Sequence, residues 1–411
     1  MTTHSSSDDL LAATLREESG RLVAALYRRF GDFDVAEEAV QGAVVEALTA
    51  WRRDGTPERP GAWLTTAAQR NALDLIRARG RRQALAERAV GSPSEHGEPT
   101  ETTDERLALL FACCHPALAP EARLPLTLRA VIGLTTPQIA RAFLVNEQTL
   151  AQRIVRAKRK IVSAGIDLKV PDRLDERLPD VLAVVYLMYN EAFVSSSGRT
   201  QDRDLGSDAV WLAEVIATSL PDQAEAWGLA ALLTLQHGRA AARFDRGGEL
   251  VLLRDQDRAL WDRSAFKRAT GFLERAASLK APGPYQLQAA IAACHAEAPS
   301  WADTDWLQIT TLYGFLMQAD PSPVVRLNAA IALAQLGQRQ AGAALRDVDG
   351  LAEELAGYHL FHATRAELLR LLGRDDEATS ADHRALELTT NEAERRLIQT
   401  RLRRHPLTDG S

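Results

Sequence analysis

The sequence predicts an all-α protein made of three helical blocks. Apolar residues recur at i, i+3 and i+4 through most of the chain, and the last block has few β-branched runs. Short turns containing Gly or Pro separate these helical periods. At 411 residues the chain exceeds the ~100–200 residues of one domain. We therefore expect helical blocks at 8–82, 105–165 and 171–408, with 83–104 as a linker.

The first block contains three predicted helices. Apolar residues in 10–30 and 35–51 follow two amphipathic periods, which break at Gly31-Asp32. Residues 54–61 have the composition of a turn, and a third helix is expected over about 62–79. The linker that follows lacks periodicity, leans acidic and contains several Gly, Ser and Pro residues, so it is expected to be flexible.

The second block has the pattern of a helix-turn-helix. A short helix is expected to begin at Thr136, with Pro137 at its permissive first turn. After a tight turn at Leu144-Val145, Asn146 can cap a longer helix that runs to Lys160. The predicted buried stripe of this second helix consists of Leu150, Ile154, Ala157 and Ile161.

The outer face of that second helix has the residue types that bind DNA. Amide, hydroxyl and guanidinium groups bond base edges and phosphates when a helix enters the major groove. Residues 148–162 contain five basic residues and no acid, and Lys158 to Lys160 are expected to extend the charge toward the DNA backbone. A solvated basic surface is the plainer alternative. The predicted DNA-binding residues of this helix are Gln148, Thr149, Gln152, Arg153, Arg156 and Arg159.

Composition and charge restrict the remaining possibilities. The net charge of −6 conceals two basic segments, of which residues 70–82 hold five arginines and one acid. No segment approaches the ~18 apolar residues of a membrane span, and the start lacks a signal-peptide pattern, so we expect a cytoplasmic protein. Three cysteines, two of them adjacent, do not suit a disulfide framework.

The third block reads as stacked helix pairs. Leu336-Gly337 and Leu372-Gly373 end two comparable helices, at an interval near the ~34-residue tetratricopeptide period. Each is followed by a second helix with small residues, as close packing requires. The pattern is degenerate elsewhere in the block, so we expect tetratricopeptide-like pairs rather than a regular array.

Two motifs stand out in the first block. The segment Ala36 to Gln41 has two acids followed by Val-Gln, and the third helix contains Trp63-Leu64, Arg70-Asn71, Asp74 and Arg77. These motifs resemble region 2 of the sigma-70 family, in its extracytoplasmic-function (ECF) type. The resemblance implies that Glu37, Glu38, Val40 and Gln41 bind the clamp helices of the largest polymerase subunit. It also implies that the third helix opens the minus-ten promoter element, through Arg70, Asn71 and Arg77.

The second block resembles sigma region 4, which reads the minus-thirty-five element. Thr149, Arg153, Arg156 and Ala157 stand at the family's positions, whereas Ala151 replaces its usual basic residue. The resemblance implies core RNA polymerase as partner, including the flap of the second-largest subunit, together with promoter DNA. The alternative is a one-component helix-turn-helix regulator with a tetratricopeptide-like sensor, and a scaffold with incidental basic helices is a third reading.

The last block resembles the C-terminal extension of one ECF subgroup, which is distinguished by stretches such as 110–116 in the second block and 283–290 in the last. That resemblance implies that the extension modulates activity, with a protein or a ligand as its own partner. Glu191 and the cluster 255–258 fit either a ligand pocket or charge pairs between helices. Adjacent Cys113 and Cys114 cannot easily close a metal site. The sequence shows no catalytic motif and predicts neither a metal nor a cofactor.

Overall fold

The computed structural model describes residues 3–86, 105–142, 145–195 and 205–404. Those residues form nineteen α-helices and three short 3-10 helices, and their extended structure is limited to one isolated bridge between Phe244 and Leu250. The all-α prediction is therefore confirmed. No helix in the described ranges is both long and apolar enough to cross a membrane. The chain divides into two compact units, Met1–Met188 and Tyr189–Ser411.

Three long helices begin the first unit. Helix α2 is capped by Asp32, whose Oδ1 accepts from the backbone N–H groups of Asp34 (2.8 Å) and Val35 (3.0 Å). The preceding Gly31 has φ 68°, a conformation that favours glycine and turns the chain between helices. The helices are α1 (Thr3–Phe30), α2 (Phe33–Asp54) and α3 (Pro60–Ala86). Helix α3 thus continues into the predicted linker, whose remaining residues, 87–104, lie outside the described ranges.

Four shorter helices contain the predicted helix-turn-helix. The last two, α6 and α7, start where the sequence pattern placed them. Gly133, with φ 80°, turns the chain after α5. The four are α4 (Glu105–Cys113), α5 (Pro120–Ala130), α6 (Thr136–Ala142) and α7 (Glu147–Ser163).

The two helix groups of the first unit are in direct contact. Helix α1 packs on α4 and α5. Ser19 on α1 donates a hydrogen bond from Oγ to the carbonyl oxygen of Val131 (3.4 Å). A Cβ atom placed on Gly20 would lie 3.1 Å from that same oxygen. The absence of a side chain at Gly20 therefore allows the two backbones to approach closely.

Helix α8 (Leu174–Ser195) begins in the first unit, although the sequence assigned residues from 171 onward to the extension. Arg177 donates from Nη2 to the carbonyl oxygen of Phe111 (2.9 Å), and Arg123 forms an ion pair with Asp180 (3.0 Å). These contacts tie the first turns of α8 to the helix-turn-helix group. The compact first unit accordingly extends to Met188.

The second unit is a series of packed helices. Gly337 (φ 129°) and Gly373 (φ 72°) provide the turns within two helix pairs, α14–α15 and α17–α18, as the repeat pattern predicted. Both pairs pack closely, and α15 also packs on α17. The helices are α9 (Leu205–Ser219), α10 (Ala224–His237), α11 (Arg263–Ser278), α12 (Pro284–Glu297), α13 (Trp306–Ala319), α14 (Pro323–Ala334), α15 (Gln338–Asp349), α16 (Ala352–Leu355), α17 (His359–Leu371), α18 (Asp375–Leu388) and α19 (Glu392–Arg404).

Candidate nucleic-acid and polymerase interfaces

Helix α7 is positioned by its cap and by its buried stripe. Oδ1 of Asn146 accepts hydrogen bonds from the backbone N–H groups of Gln148 (2.9 Å) and Thr149 (3.2 Å), which satisfies amides that the helix leaves unpaired. Burying each large aliphatic side chain of the stripe stabilises the fold by about 1.5–3 kcal/mol. The stripe fixes the rotation of α7 about its axis, and its buried members are those predicted: Leu150, Ile154, Ala157 and Ile161.

The outward face of α7 brings the six predicted DNA-binding residues together. Arg153 is half-buried and the other five are exposed. Arg156 donates from Nε to the carbonyl oxygen of Gln152 (3.3 Å), which directs its side chain along the helix surface. Glu147, in the first turn, is the one acid of α7. The face therefore presents amide and guanidinium donors in a positive field, as binding to a polyanion requires.

Lys158 departs from the predicted pattern. The sequence grouped it with Arg159 and Lys160 as charge directed toward DNA, but its residue exposure is 8%. Its Nζ lies 2.9 Å from Oδ1 of Asp34 and 3.0 Å from Oε2 of Glu37, both on α2. Lys158 therefore belongs to the contact between α7 and α2, because its helical position directs it to the side opposite the outward face.

The three predicted minus-ten residues on α3 have different surroundings. Arg70 is exposed and forms an ion pair with Glu46 of α2, and Arg77 is exposed and lies 3.4 Å from Asp74. Asn71 is half-buried.

Asn71 serves the contact between α2 and α3. Its Nδ2 donates to the carbonyl oxygen of Ala39 (3.4 Å), and a Cβ atom on Gly42 would lie 2.9 Å from it. Close by, Trp51 meets Trp63 edge-on, with ring centroids 5.8 Å apart. Of the three predicted residues, Arg70 and Arg77 are thus the two with exposed side chains.

Two of the four predicted polymerase-binding residues on α2, Glu37 and Gln41, contact the helix-turn-helix group. Glu37 is 4% exposed and Val40 is 5% exposed, whereas Glu38 is exposed. Oε2 of Glu37 accepts a hydrogen bond from Nε of Arg129 on α5 (2.8 Å) in addition to the contact with Lys158. The side-chain amide of Gln41 is oriented with its oxygen toward Arg129. That oxygen accepts hydrogen bonds from Nη2 (2.7 Å) and Nη1 (2.5 Å) of Arg129.

We refer to Asp34, Glu37, Gln41, Arg129 and Lys158 as the Glu37 cluster. Sequence reasoning missed its basic members. Arg129 lies 92 residues from Glu37, and Lys158 lies 124 residues from Asp34. No periodic pattern links positions so far apart, so only the tertiary structure could reveal these pairs.

Cys113 lies beside the Glu37 cluster and is fully buried. Burial raises the pKa of its thiol well above the usual range, and the nearby Cys114 and Glu37 raise it further, while Lys158 lowers it. Burial likewise raises the pKa of Cys114 to about 12. Both thiols are therefore protonated and unreactive near pH 7. Among the described residues no group of three metal-ligating side chains occurs.

In the cluster 255–258 of the second unit, Arg258 makes packing contacts with the end of a neighbouring helix. Arg258 donates from Nη1 to the carbonyl oxygens of His295 and Ala298, each at 2.6 Å, and so caps the end of α12. Its guanidinium lies 4.5 Å from the ring centroid of Trp261. Burial, with Arg239 and Arg258 nearby, lowers the pKa of His295 to about 4. These contacts favour the packing interpretation of this arginine.

Glu191 is the other residue whose role the sequence left open. Burial raises the pKa of its carboxyl group.

Known families match the chain in the order of its helical groups. The family described as Sigma-70 region 2 matches residues 15–82, and that described as Sigma-70, region 4 matches residues 108–161. Residues 177–277 match DUF6596, a family of unknown function.

Two related proteins extend this comparison. Uncharacterized protein R00370 of Rhizobium meliloti is 41% identical over 405 residues, which cover 96% of this chain and 95% of that protein. The Probable ECF RNA polymerase sigma factor SigI of Mycobacterium tuberculosis is 32% identical over 174 residues, covering 40% of this chain and 59% of its own length. No solved structure matches the chain.

These matches, together with the exposed helix-turn-helix, define a transcription protein of the sigma-70 class. Within that class the chain belongs to the ECF sigma factors, in a form that carries a long C-terminal extension. Regions 2 and 4 correspond to α1–α3 and α4–α7, and these names are used below.

Proposed function

We propose that this sigma factor binds core RNA polymerase in the cytoplasm, recognises promoter DNA and initiates transcription without catalysis of its own. The observation that carries the proposal is the outward face of α7. Its six polar and basic residues lie on a capped helix-turn-helix in the same compact unit as the region 2 helices. If the basic face of α7 were only a solvated surface, the match of the preceding helices to region 2 would not be expected.

For DNA, the outward face of α7 enters the major groove at the minus-thirty-five element. Arg153 and Arg156 are suited to guanine edges or phosphates, and Gln148 and Gln152 to adenine edges. Region 2 contributes Arg70 and Arg77 at the minus-ten element. Both arginines are paired with carboxylates in the free chain, so DNA phosphates must displace Glu46 and Asp74.

For the polymerase, the α2 residues Glu37, Glu38, Val40 and Gln41 bind the clamp helices of the largest subunit. Region 4 binds the flap of the second-largest subunit. A face of carboxylates and a side-chain amide accepts hydrogen bonds, so its polymerase partner must supply cationic or amide donors. The extension modulates this activity and takes a protein or a ligand as its own partner, since stacked helix pairs create extended binding surfaces.

The test is run-off transcription with purified bacterial core polymerase and a library of randomised promoters. Full-length protein should direct specific starts, and the Arg153→Ala/Arg156→Ala chain should not. Specific DNA binding without core-dependent transcription would indicate the one-component regulator instead.

The role of the extension is tested by ending the chain after Met188, the boundary between the two units. This truncation keeps the contacts that Arg177 and Asp180 make with region 4. If the extension modulates the sigma factor, the truncated chain directs a different transcription rate from the full-length chain. Equal rates would remove the modulating role.

A further inference from the structure

The polymerase-binding face proposed for α2 is occupied by region 4 of the same chain. We propose that the free sigma factor is closed, with α5 and α7 covering this face, and that core polymerase binds only after region 4 has moved away. This inference rests on the proposed function, because it concerns the face through which α2 would bind polymerase. In the closed state, Arg129 and Lys158 of the same chain compete with polymerase for that face.

The Glu37 cluster is the polar part of the closed contact. Arg129 and Lys158 both bind Oε2 of Glu37, at 2.8 and 3.0 Å, and Arg129 also satisfies Gln41. Two of the four proposed polymerase contacts therefore have their acceptors engaged by region 4. Donors on the polymerase cannot bind these two acceptors while the cluster is intact.

A second contact holds the other side of the interface. Ser19 and Gly20 on α1 meet the turn after α5, where Val131 and Gly133 lie. A Cβ atom on Gly133 would lie 3.4 Å from the Cβ atom of Ser19. Arg28 at the end of α1 also forms an ion pair with Glu105 at the start of α4. Regions 2 and 4 are thus joined along the length of α1 as well as at the cluster.

Promoter geometry independently requires the two regions to separate. Elements at minus-ten and minus-thirty-five are about 25 base pairs apart, or roughly 85 Å along the duplex. Regions 2 and 4 are in van der Waals and hydrogen-bond contact here, and the longest helix, α1, spans only about 42 Å at 1.5 Å per residue. One closed chain therefore cannot occupy both elements at once. The chain 87–104 between the regions reaches roughly 60 Å when fully extended, which permits their separation.

The chemistry of the cluster suits a contact that opens. Separating buried ions loses their attraction but restores their hydration, so a buried ion pair resists opening less than an apolar contact of equal area. Donors on the polymerase can then replace Arg129 and Lys158 on Glu37 and Gln41. Opening and polymerase binding are thereby coupled through the same acceptors.

A reversible cross-link tests the proposal in the full-length chain. The pair Ser19→Cys and Gly133→Cys places the two Cβ atoms about 3.4 Å apart, close to the ~3.5–4.5 Å found in disulfides. The backbone strain at Gly133, with φ 80°, is present in both redox states, so the comparison is internal to one variant. Binding to purified core polymerase is measured with the variant oxidised and then reduced.

We expect the oxidised chain to bind core at least tenfold more weakly than the reduced chain, and dithiothreitol to restore binding. The Ser19→Cys single variant controls for redox effects on the polymerase and should show no difference. Equal binding by the oxidised and reduced double variants would overturn the closed-state proposal. If neither the double variant nor the unmodified chain binds core, the proposed function itself fails, and the closed-state proposal fails with it.

An opening variant provides a second readout. Arg129→Met removes a donor from Glu37 and Gln41, whereas Arg123→Met on the same helix removes an arginine of equal side-chain exposure, 16%, that pairs with Asp180. Apparent affinity for core is reduced by the fraction of chain that is open. Arg129→Met should therefore bind core severalfold more tightly and Arg123→Met should not. Unchanged or weaker binding by folded Arg129→Met alone would contradict the proposal.

Discussion

Two surfaces of the first unit, one on α2 and one on α7, differ in accessibility. On α7, five of the six predicted DNA-binding residues are exposed, whereas on α2 Glu37 is buried and bonded to Arg129 and Lys158 of region 4. The covered surface is the one proposed for polymerase, and the open surface is the one proposed for DNA. Under the closed-state proposal, this difference places control of the free chain at the step of polymerase binding.

The same helix contributes to both surfaces. Helix α7 presents Arg153 and Arg156 outward, and it directs Lys158, two residues after Arg156, to Glu37. Because one helix carries both groups, release of region 4 moves the DNA-reading face together with the basic residues that cover α2.

The largest effect is expected on the open surface. Arg153→Ala combined with Arg156→Ala should weaken promoter binding by about 3 kcal/mol, roughly two orders of magnitude in Kd, because two guanidinium contacts are lost. Amide exchange of the first unit should be unchanged. Fluorescence anisotropy with a selected promoter fragment measures the affinity. The matched control is Arg173→Ala, at an arginine whose side chain is 79% exposed, and a comparable loss there would indicate a general charge effect.

On the covered surface, Glu37→Ala should destabilise the first unit by about 2 kcal/mol. The buried Arg129 loses its carboxylate, although Gln41 and Asp34 still satisfy part of the cluster, so the cost falls below that of a fully orphaned charge. Amide hydrogen exchange in α1, α2 and α5 measures the stability of this unit. Glu38→Ala, at the exposed neighbour, should change it by less than ~0.5 kcal/mol. If the two substitutions changed the stability equally, Glu37 would not contribute specifically to the interface.

The thiol of Cys113 should report the opening of the interface. Burial, with Cys114 and Glu37 nearby, raises the pKa of this thiol, so alkylation at pH 7.5 is slow and accelerates only in strongly alkaline solution. In Arg129→Met the labelling of Cys113 should be about tenfold faster, the factor that a 1.4 kcal/mol shift toward the open state gives. Mass spectrometry separates this site from Cys294. A rate identical to that of the unmodified chain would show that Arg129 does not hold the regions together.

The smallest effect concerns the cap of α7. Asn146→Ala removes the acceptor for two amides and should destabilise the start of the helix by about 1 kcal/mol. Promoter affinity should fall only severalfold, because the contacts themselves remain. Asn146→Asp should restore capping and affinity, which anisotropy and amide exchange can both measure. Failure of Asp to rescue would mean that the Asn146 side chain has a role beyond the cap.

Local features could be predicted from the sequence, and long-range contacts could not. The start of α7, its cap and its buried stripe follow from periodicity and capping chemistry, which act within a few residues. The glycine turns at Gly337 and Gly373 were likewise predictable. By contrast, Asn71 matched a DNA-binding signature but donates to Ala39 O, because the packing of α3 on α2 decides its direction.

Lys158 shows the same limit most clearly. Three successive basic residues suggest one charged surface, yet successive side chains of a helix point about 100° apart, so Lys158 faces α2 while Arg159 is exposed. Arg258 is a third case. Its sequence cluster was compatible with a pocket, and only the position of the α12 carboxyl end revealed it as a cap.

Energy transfer between regions 2 and 4 should report the opening of the free chain as core polymerase is added. Dyes on Val45→Cys in α2 and Val162→Cys in α7 occupy positions that are 64% and 56% exposed. The buried native thiols, with raised pKa values, label slowly. We predict that transfer falls when core binds and is unaffected by polymerase already loaded with another sigma factor. Bound chain with unchanged transfer would contradict the closed free state.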